Sequence, residues 1–182
     1  MNLPAGFHLR RATPADLPAY GAFVRRTFED TYGPQQEPES LARHVAERLN
    51  DQRLAEELRD ASRTLLLLEY GDALAGFALL RAWPAPPAVA AERPVEVERF
   101  YVGHEWHGRG LAAPLMTAAL DAARTAGHDA TWLTVWVRNP RAIRFYEKQG
   151  FAIVGKHVYV FDGQPEDDHL MARELLAPPP PR

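Results

Sequence analysis

The chain has 182 residues, of which 25% are charged, and its formal net charge is −3. This length suits one domain with a sizeable core, and the charge offers no basic surface for nucleic acid. The absence of cysteine excludes disulfides, thiolate metal sites and a cysteine nucleophile. The sequence also lacks a long apolar run and a signal-peptide pattern, so we expect a cytoplasmic protein that binds neither membrane nor nucleic acid.

Strands and helices alternate along the first half of the chain. Thr13 is a helix cap, with Pro14 in the first turn and Asp16 as the acid at the third position. Apolar residues then recur at helical spacing, and Gly71-Asp72 marks a hairpin turn. The predicted elements are a strand at Phe7–Ala12, helices from Thr13 and from Pro38 to about Asp60, strands at Thr64–Tyr70 and Ala73–Trp83, and a surface loop at Pro84–Pro94.

The second half continues the alternation and ends in a proline-rich stretch. Its predicted elements are a strand at Val95–Val102, a glycine turn with a helix to about Ala126, a strand at Thr131–Val137, a helix from Asn139 through Lys148, and strands at Phe151–Phe161 and Leu170–Leu176 around a polar turn at Asp162–Asp168. This order predicts an α/β (α+β) fold, with a mixed sheet of about six to seven strands and helices on both faces. We predict one domain over residues 1–177 and a disordered tail over 178–182.

The turn between the Val95–Val102 strand and the next helix contains two glycines, Gly108 and Gly110. Glycines at this spacing let the chain turn sharply and leave backbone N–H groups uncovered at a helix N-terminus, which favours an anion such as a pyrophosphate. A Walker loop is excluded because Leu111 follows Gly110, and Ala113 stands where a Rossmann fingerprint needs its third glycine. A tight turn without a ligand remains an alternative.

Two acids, Glu96 and Glu98, interrupt the otherwise apolar strand before this turn. Because they are two residues apart, we expect them to share a face with Phe100 and Val102. A carboxylate there is able to accept a proton from a reacting amine. A solvent-exposed strand end, or ion pairs with nearby arginines, would equally explain the two acids.

Three segments together, 107–112, 139–142 and 145–151, resemble the acetyl-CoA site of the GCN5-related N-acetyltransferases, the GNAT superfamily. The resemblance covers about residues 5–176 and implies a GNAT fold, acetyl-CoA as cosubstrate, no metal, and direct acetyl transfer to an amine. The residues it implies for cofactor binding are Phe100, Tyr101, Val102, His107, Gly108, Arg109, Gly110, Leu111, Ala112, Ala113, Asn139 and Tyr146.

The resemblance also implies individual roles. Tyr146 would protonate the departing thiolate, and a phenol that titrates near 10 is a competent donor to a thiol that titrates near 8.5. Asn139 would hydrogen-bond the pantetheine arm, although an ordinary helix cap is equally consistent with it. Glu98 is the preferred proton acceptor, with Glu96 in reserve. His107 departs from the Gln or Arg usual at its position, which leaves its phosphate contact open.

Several further segments resemble the bacterial spermidine/spermine acetyltransferases of the PaiA-like branch; they are 98–102, 132–136, 141–146, 155–157, 168–171 and 27–32. The resemblance implies a polyamine or a similar small cationic amine as acceptor, with Glu29, Asp30 and Tyr32 at its mouth. A solvated helix end would also explain those three residues. Acetylation of protein N-termini or lysines, acetylation of an antibiotic amine, and a non-catalytic acetyl-CoA-binding module are alternatives. The sequence leaves open whether the chain forms a homodimer.

Overall fold

The computed structural model describes residues 3–175, so the predicted tail at 178–182 and the domain end at 177 lie outside the described residues. The strands are β1 (Phe7–Arg11), β2 (Arg63–Tyr70), β3 (Ala73–Arg81), β4 (Pro94–Val102), β5 (Ala130–Trp136), β6 (Ala152–Phe161) and β7 (Gln164–Glu174). The helices are α1 (Leu17–Tyr32), α2 (Pro38–Arg48), α3 (Asp51–Arg59), α4 (Ala112–Thr125) and α5 (Pro140–Lys148). No helix in this part of the chain is long and apolar enough to cross a membrane.

The seven strands form one sheet in the order β1-β2-β3-β4-β5-β7-β6. Neighbouring strands are antiparallel except for β4 and β5, which run parallel. That parallel pairing covers three residue pairs, from Pro94–Ala130 to Glu96–Trp132. Beyond them β4 stays with β3 and β5 stays with β7, so the two central strands separate. This separation, the splay, opens the middle of the sheet.

Helices cover both faces of the sheet, as the sequence predicts. On one face α4 buries Leu115, Met116 and Ala119 completely, and α5 packs beside it. On the other face α1 buries Tyr20, whose ring meets Phe77 of β3 edge-on at 5.1 Å. The predicted mixed sheet between two helical layers is therefore confirmed.

A β-bulge in β4 changes the direction in which its side chains point. Arg99 pairs with Leu79 and Val97 pairs with Leu80, so Glu98 is the extra residue between them. A bulge of this kind lets two residues on one strand face one residue on the next. The strict alternation of faces along β4 is lost at Glu98.

The prediction that Glu96 and Glu98 share a face with Phe100 and Val102 is therefore wrong. Phe100 and Val102 pack on the core beneath α4 and α5, the core that also contains Val97. Glu96 and Glu98 instead line a cleft on the opposite face. Simple two-residue periodicity does not survive the inserted residue.

Two other element boundaries differ from the prediction. The helical region from Pro38 to about Asp60 is two helices, because Asn50 caps α3 by accepting a hydrogen bond from the Arg53 backbone N–H at 3.0 Å. The predicted turn at Asp162–Asp168 is also shorter, since β7 begins at Gln164. Asp162 and Gly163 both have positive φ, at 47° and 79°, which suits a two-residue hairpin turn.

Candidate active site

A cleft of about 660 Å³ opens where β4 leaves β5; we call it the first cleft. It is lined by the second half of β4, the glycine turn, the start of α4 and one side of α5, and it passes through the splay to the end of α1. The sequence-predicted cofactor residues that line it are Phe100, Tyr101, Val102, His107, Gly108, Gly110, Leu111, Ala112, Ala113, Asn139 and Tyr146. Arg109 is outside this lining, and its guanidinium carbon lies 5.0 Å from the Trp106 ring centroid.

The glycine turn has the geometry of an anion cradle. Gly108 and Gly110 have φ values of 77° and 74°, a left-handed conformation that glycine adopts without strain. A Cβ at either position would meet no atom within 4 Å, so the backbone there is open. The turn leads directly into α4 at Ala112, whose first N–H groups have no partner inside the helix. Phosphate oxygens fit such a site.

The splay supplies a groove for an extended arm. Along residues 100–102, β4 pairs with β3 on one side and has no strand partner on the other. Backbone groups on an unpaired strand edge bind another extended chain through main-chain hydrogen bonds. The peptide-like pantetheine arm of acetyl-CoA has such groups, so the groove fits the cosubstrate that the resemblance implies.

Asn139 stands at the entrance to α5 and has a structural role. Its side-chain oxygen accepts a hydrogen bond from the Ala142 backbone N–H at 3.1 Å, which caps the helix. The amide nitrogen of the same side chain is not needed for the cap, and the residue lines the first cleft. The two interpretations of Asn139 are therefore compatible.

Tyr146 lies nearly two turns further along α5 and is 9% exposed. Its ring packs edge-on against Phe145 and Phe151, at centroid distances of 5.4 and 5.8 Å. Burial raises the pKa of the Tyr146 phenol well above its usual value, so the group is neutral near pH 7. The neutral phenol belongs to a residue that lines the first cleft.

His107 has both ring nitrogens engaged within the protein. One nitrogen lies 2.9 Å from the Val102 carbonyl oxygen, and the other lies 2.9 Å from a guanidinium nitrogen of Arg141. Because arginine can only donate, the ring accepts from Arg141 and donates to Val102. Burial lowers the pKa of His107, which favours this neutral form. His107 thus holds Arg141 beside the glycine turn, as a cation that the sequence did not single out.

Glu98 forms an ion pair with Arg63. Both of its carboxylate oxygens accept hydrogen bonds from Arg63, at 2.8 and 3.1 Å. The Arg63 side chain also pairs with Asp60. These contacts hold the bulge against the start of β2, and they occupy both carboxylate oxygens of Glu98.

Glu96 is in a different environment. Burial, reinforced by the nearby Glu98 charge, raises the pKa of Glu96 to about 7. A carboxyl group that titrates near neutral pH has the proton affinity of a general base. This pKa favours Glu96 as the candidate proton acceptor, whereas the sequence favoured Glu98.

Glu96 lines a second cleft of about 990 Å³ on the α1–α3 face, which we call the second cleft. The two clefts share Glu98, Arg99 and Thr134, so they meet at the splay. Arg99 is fixed there by Glu57 of α3, with N–O distances of 2.7 and 2.9 Å. One side of the sheet therefore offers a cosubstrate groove and the other offers room for an acceptor.

The three residues expected at the acceptor mouth, Glu29, Asp30 and Tyr32, do not all line the same cleft. Asp30 and Tyr32 line the first cleft, whereas Glu29 is exposed and outside both linings. The electrostatic effect of the neighbouring Tyr101 phenol, together with burial, raises the pKa of the Tyr32 phenol well above its usual value.

Sequence reasoning missed Arg63, Arg99 and Arg141 as parts of the site. Arg63 and its partner Glu98 are 35 residues apart, and Arg99 and Glu57 are 42 apart, so no local pattern connects them. Arg141 did carry a signal, because it stands two residues after Asn139 in the motif that positions α5.

Comparison with known proteins agrees with this geometry. Residues 23–151 match the model of the acetyltransferase (GNAT) family. An uncharacterized N-acetyltransferase of Mycobacterium tuberculosis is 34% identical over 161 residues, which cover 88% of this chain and 99% of that protein.

Two solved structures share the fold. PaiA N-acetyltransferase from Thermoplasma acidophilum, in complex with coenzyme A, has a TM-score of 0.71 and 19% identity over 92% of this chain and 98% of that one. Mutant forms of the spermidine/spermine N-acetyltransferase SpeG from Vibrio cholerae have a TM-score of 0.63 and 22% identity, over 93% and 95%. With the cradle, the groove and the family match together, the chain belongs to the GNAT family and is an acetyl-CoA-dependent N-acetyltransferase.

Proposed function

We propose that the chain transfers an acetyl group directly from acetyl-CoA to a primary amine of a small molecule bound in the second cleft. The observation that carries this proposal is the meeting of the two clefts at the splay, where Glu98, Arg99 and Thr134 belong to both. Two ligands that enter from opposite faces would meet there without exchanging places. That arrangement favours direct transfer over an acetylated enzyme intermediate.

The amine must lose a proton before it reacts. An alkyl amine with a pKa near 10.4 is about one part in a thousand neutral at pH 7. Glu96, directly or through a water molecule, accepts that proton, because its own pKa is raised to about 7.

Transfer also releases a negative charge on sulfur. Acetyl-CoA supplies an acetyl thioester, whose carbon–sulfur bond breaks as the bond from the acetyl carbon to the amine nitrogen forms. Tyr146 donates its phenol proton to the departing thiolate, and the acylated nitrogen returns its extra proton, through water, to the Tyr146 phenolate as the amide forms. The aromatic packing around its ring fixes the direction of the hydroxyl.

A polyamine acceptor is the second, finer candidate. The branch resemblance supports it, as does Asp30, an exposed acid that lines the first cleft. The name of the SpeG neighbour specifies spermidine and spermine as that protein's substrates. In the second cleft, by contrast, arginines neutralise Glu57 and Glu98, which weakens the attraction for a polycation.

The glycine turn gives the first prediction. Gly110→Val should reduce CoA affinity at least about tenfold, because a β-branched residue does not adopt a φ of 74° without strain. Calorimetry with CoA checks this. Gly163→Val is the matched control, since Gly163 has a φ of 79°, open space around its Cβ and a position outside the cleft. Equal CoA affinity in both variants would show that the glycine turn does not bind CoA.

Arg141 gives the second prediction. Arg141→Gln should weaken CoA binding about 3–30-fold and reduce the salt dependence of that binding, since an exposed charge–phosphate contact is lost. Arg144→Gln, an exposed arginine of α5 outside the lining, should have little effect. His107→Phe should also weaken CoA binding, by less than Arg141→Gln does. In the double variant, the effects of the two substitutions on CoA affinity should be non-additive. Additive effects would mean that His107 does not position Arg141.

Tyr146 gives the third prediction. Tyr146→Phe should lower kcat by about 10²–10⁴-fold with little change in acetyl-CoA affinity, because the phenol acts when the thiolate departs. Steady-state kinetics and calorimetry separate the two quantities. Wild-type turnover at saturating substrate would show that Tyr146 is a packing residue.

Glu96 gives the fourth prediction, with opposite effects on activity and stability. Wild-type kcat/KM should rise with pH through about 7, and Glu96→Gln should lose about 10²–10³-fold activity together with that inflection. Its matched control, Glu98→Gln, should keep the inflection and move it to lower pH, because a neighbouring negative charge is removed. An unchanged profile in Glu96→Gln would exclude it as the base.

The stability effect of Glu96 follows from the same pKa. The folded chain holds this proton more tightly than the unfolded chain, so stability is highest below about pH 4.5 and falls as pH rises through about 7. Glu96→Gln should therefore gain about 1–3 kcal/mol relative to wild type between pH 5 and pH 8. Denaturant unfolding at the two pH values measures it.

The activity itself is tested by following CoA release with a panel of amines: spermidine, free amino acids, aminoglycosides and peptides. We expect small-molecule amines to be acetylated and peptides to react poorly. Turnover with peptides alone would overturn the proposal. Turnover with spermidine that weakens in a Glu29→Gln, Asp30→Asn double variant would favour the polyamine candidate.

A further inference from the structure

Three side chains form a row across the floor of the second cleft. Arg81 of β3 and Trp132 of β5 both occupy the positions paired with Glu96 of β4. All three residues line the second cleft. Because neighbouring strands lie about 4.8 Å apart, groups bound over adjacent members of the row are only a few bonds apart.

Two members of this row are hydrogen-bond donors without a partner. The Nε atom of Arg81 and the Nε1 atom of Trp132 are buried and make no hydrogen bond within residues 3–175. Trp132 is 5% exposed, so solvent has little access to it. Neither group can act as an acceptor. Buried donors are normally satisfied, so two of them beside one cleft indicate a ligand group that is rich in acceptor oxygens.

Arg81 is also held in a defined orientation. Its guanidinium carbon lies 3.6 Å from the ring centroid of Trp83. Such stacking fixes the plane of the guanidinium. The cleft arginines Arg63 and Arg99 differ, because they are already paired with carboxylates of the protein.

Glu96, between the two donors, does not satisfy them. Arg81 affects Glu96 through longer-range attraction, and burial outweighs that attraction. Glu96 has the proton affinity of a base, as described above, so its side chain is suited to face an amine. The row thus presents an amine-binding group flanked by carboxylate-binding groups.

We infer that the acceptor carries a carboxylate two or three bonds from its amine, as an α- or β-amino acid does, and that Arg81 and the Trp132 N–H bind this carboxylate while the amine lies over Glu96. The inference rests on the proposed function, because it assumes that an amine is acetylated at the splay. A polyamine has no such group, so the two acceptor classes are separable by experiment.

The test compares each of the common amino acids with its own carboxamide as acetyl acceptor. For the accepted side chains, wild-type kcat/KM should be about 10–100-fold higher for the acid than for the amide, the usual effect of a charge-assisted hydrogen-bond pair. Arg81→Gln should bring this ratio close to one. Arg59→Gln, an exposed arginine of α3 outside the lining, should leave the ratio as it is.

A binding measurement makes the test independent of turnover. Calorimetry of the CoA-loaded protein with N-acetyl amino acids and their amides should show the same preference, reduced in Arg81→Gln. Trp132→Phe keeps an aromatic ring and removes the N–H. This variant should lose part of the preference for the acid over the amide. Wild-type thermal stability in the variants excludes a folding defect.

The outcomes distinguish the inference from the proposed function. Amines that are acetylated with equal efficiency as acids and amides would overturn the inference and leave the proposed function intact. A uniform loss for acids and amides in Arg81→Gln would also overturn it, since Arg81 would then serve Glu96. Arg81-dependent binding of N-acetyl amino acids without any amine-dependent CoA release would support the carboxylate subsite and count against the proposed function.

Discussion

The parallel contact between β4 and β5 ends after three residue pairs, and the rest of the site depends on where it ends. Backbone N–H and carbonyl groups need partners, and a sheet normally supplies them along its whole length. Here two central strands separate inside the sheet, while each keeps its outer neighbour. The sheet is thereby stable on both sides of a gap, and the gap offers main-chain hydrogen bonds to a ligand of the right shape.

The bulge at Glu98 gives β4 different functions on its two faces. Val97 and Phe100 pack into the core beneath α4 and α5, while Glu96 and Arg99 belong to the second cleft. The ion pairs of Glu98 with Arg63 and of Arg99 with Glu57 connect this part of β4 to β2 and α3. Paired and partly buried charges of this kind are costly to break, so they hold the bulge in one arrangement.

Much of the fold follows from local patterns in the sequence. The apolar runs, the cap at Asn139 and the glycines at 108 and 110 each depend on neighbouring residues, and each is found where the sequence predicts it. The faces of β4 could not be predicted, because a bulge is set by the register with β3 rather than by β4 alone. The β7 boundary was missed for a related reason, since its polar start pairs with β6 and resembles a loop when considered alone.

The candidate site likewise combines features set by neighbouring residues with features set by contacts between distant segments. Glycine spacing and the motif around Tyr146 each predict residues that line the first cleft. The choice between Glu96 and Glu98 depends on which carboxylate has an arginine partner, and that partner comes from a distant segment. The row of Arg81, Glu96 and Trp132 likewise exists through strand pairing between three separate segments.

Helix α5 has a consequence for the choice of acyl donor. It has nine residues and is about 13 Å long, and Arg141 and Tyr146 lie five residues apart on it, which is about 7.5 Å along the helix axis. One rigid element therefore fixes the spacing between these two side chains. If Arg141 binds the phosphate groups of the donor and Tyr146 its sulfur, as proposed above, a donor too short to reach both side chains would lose one of the two contacts.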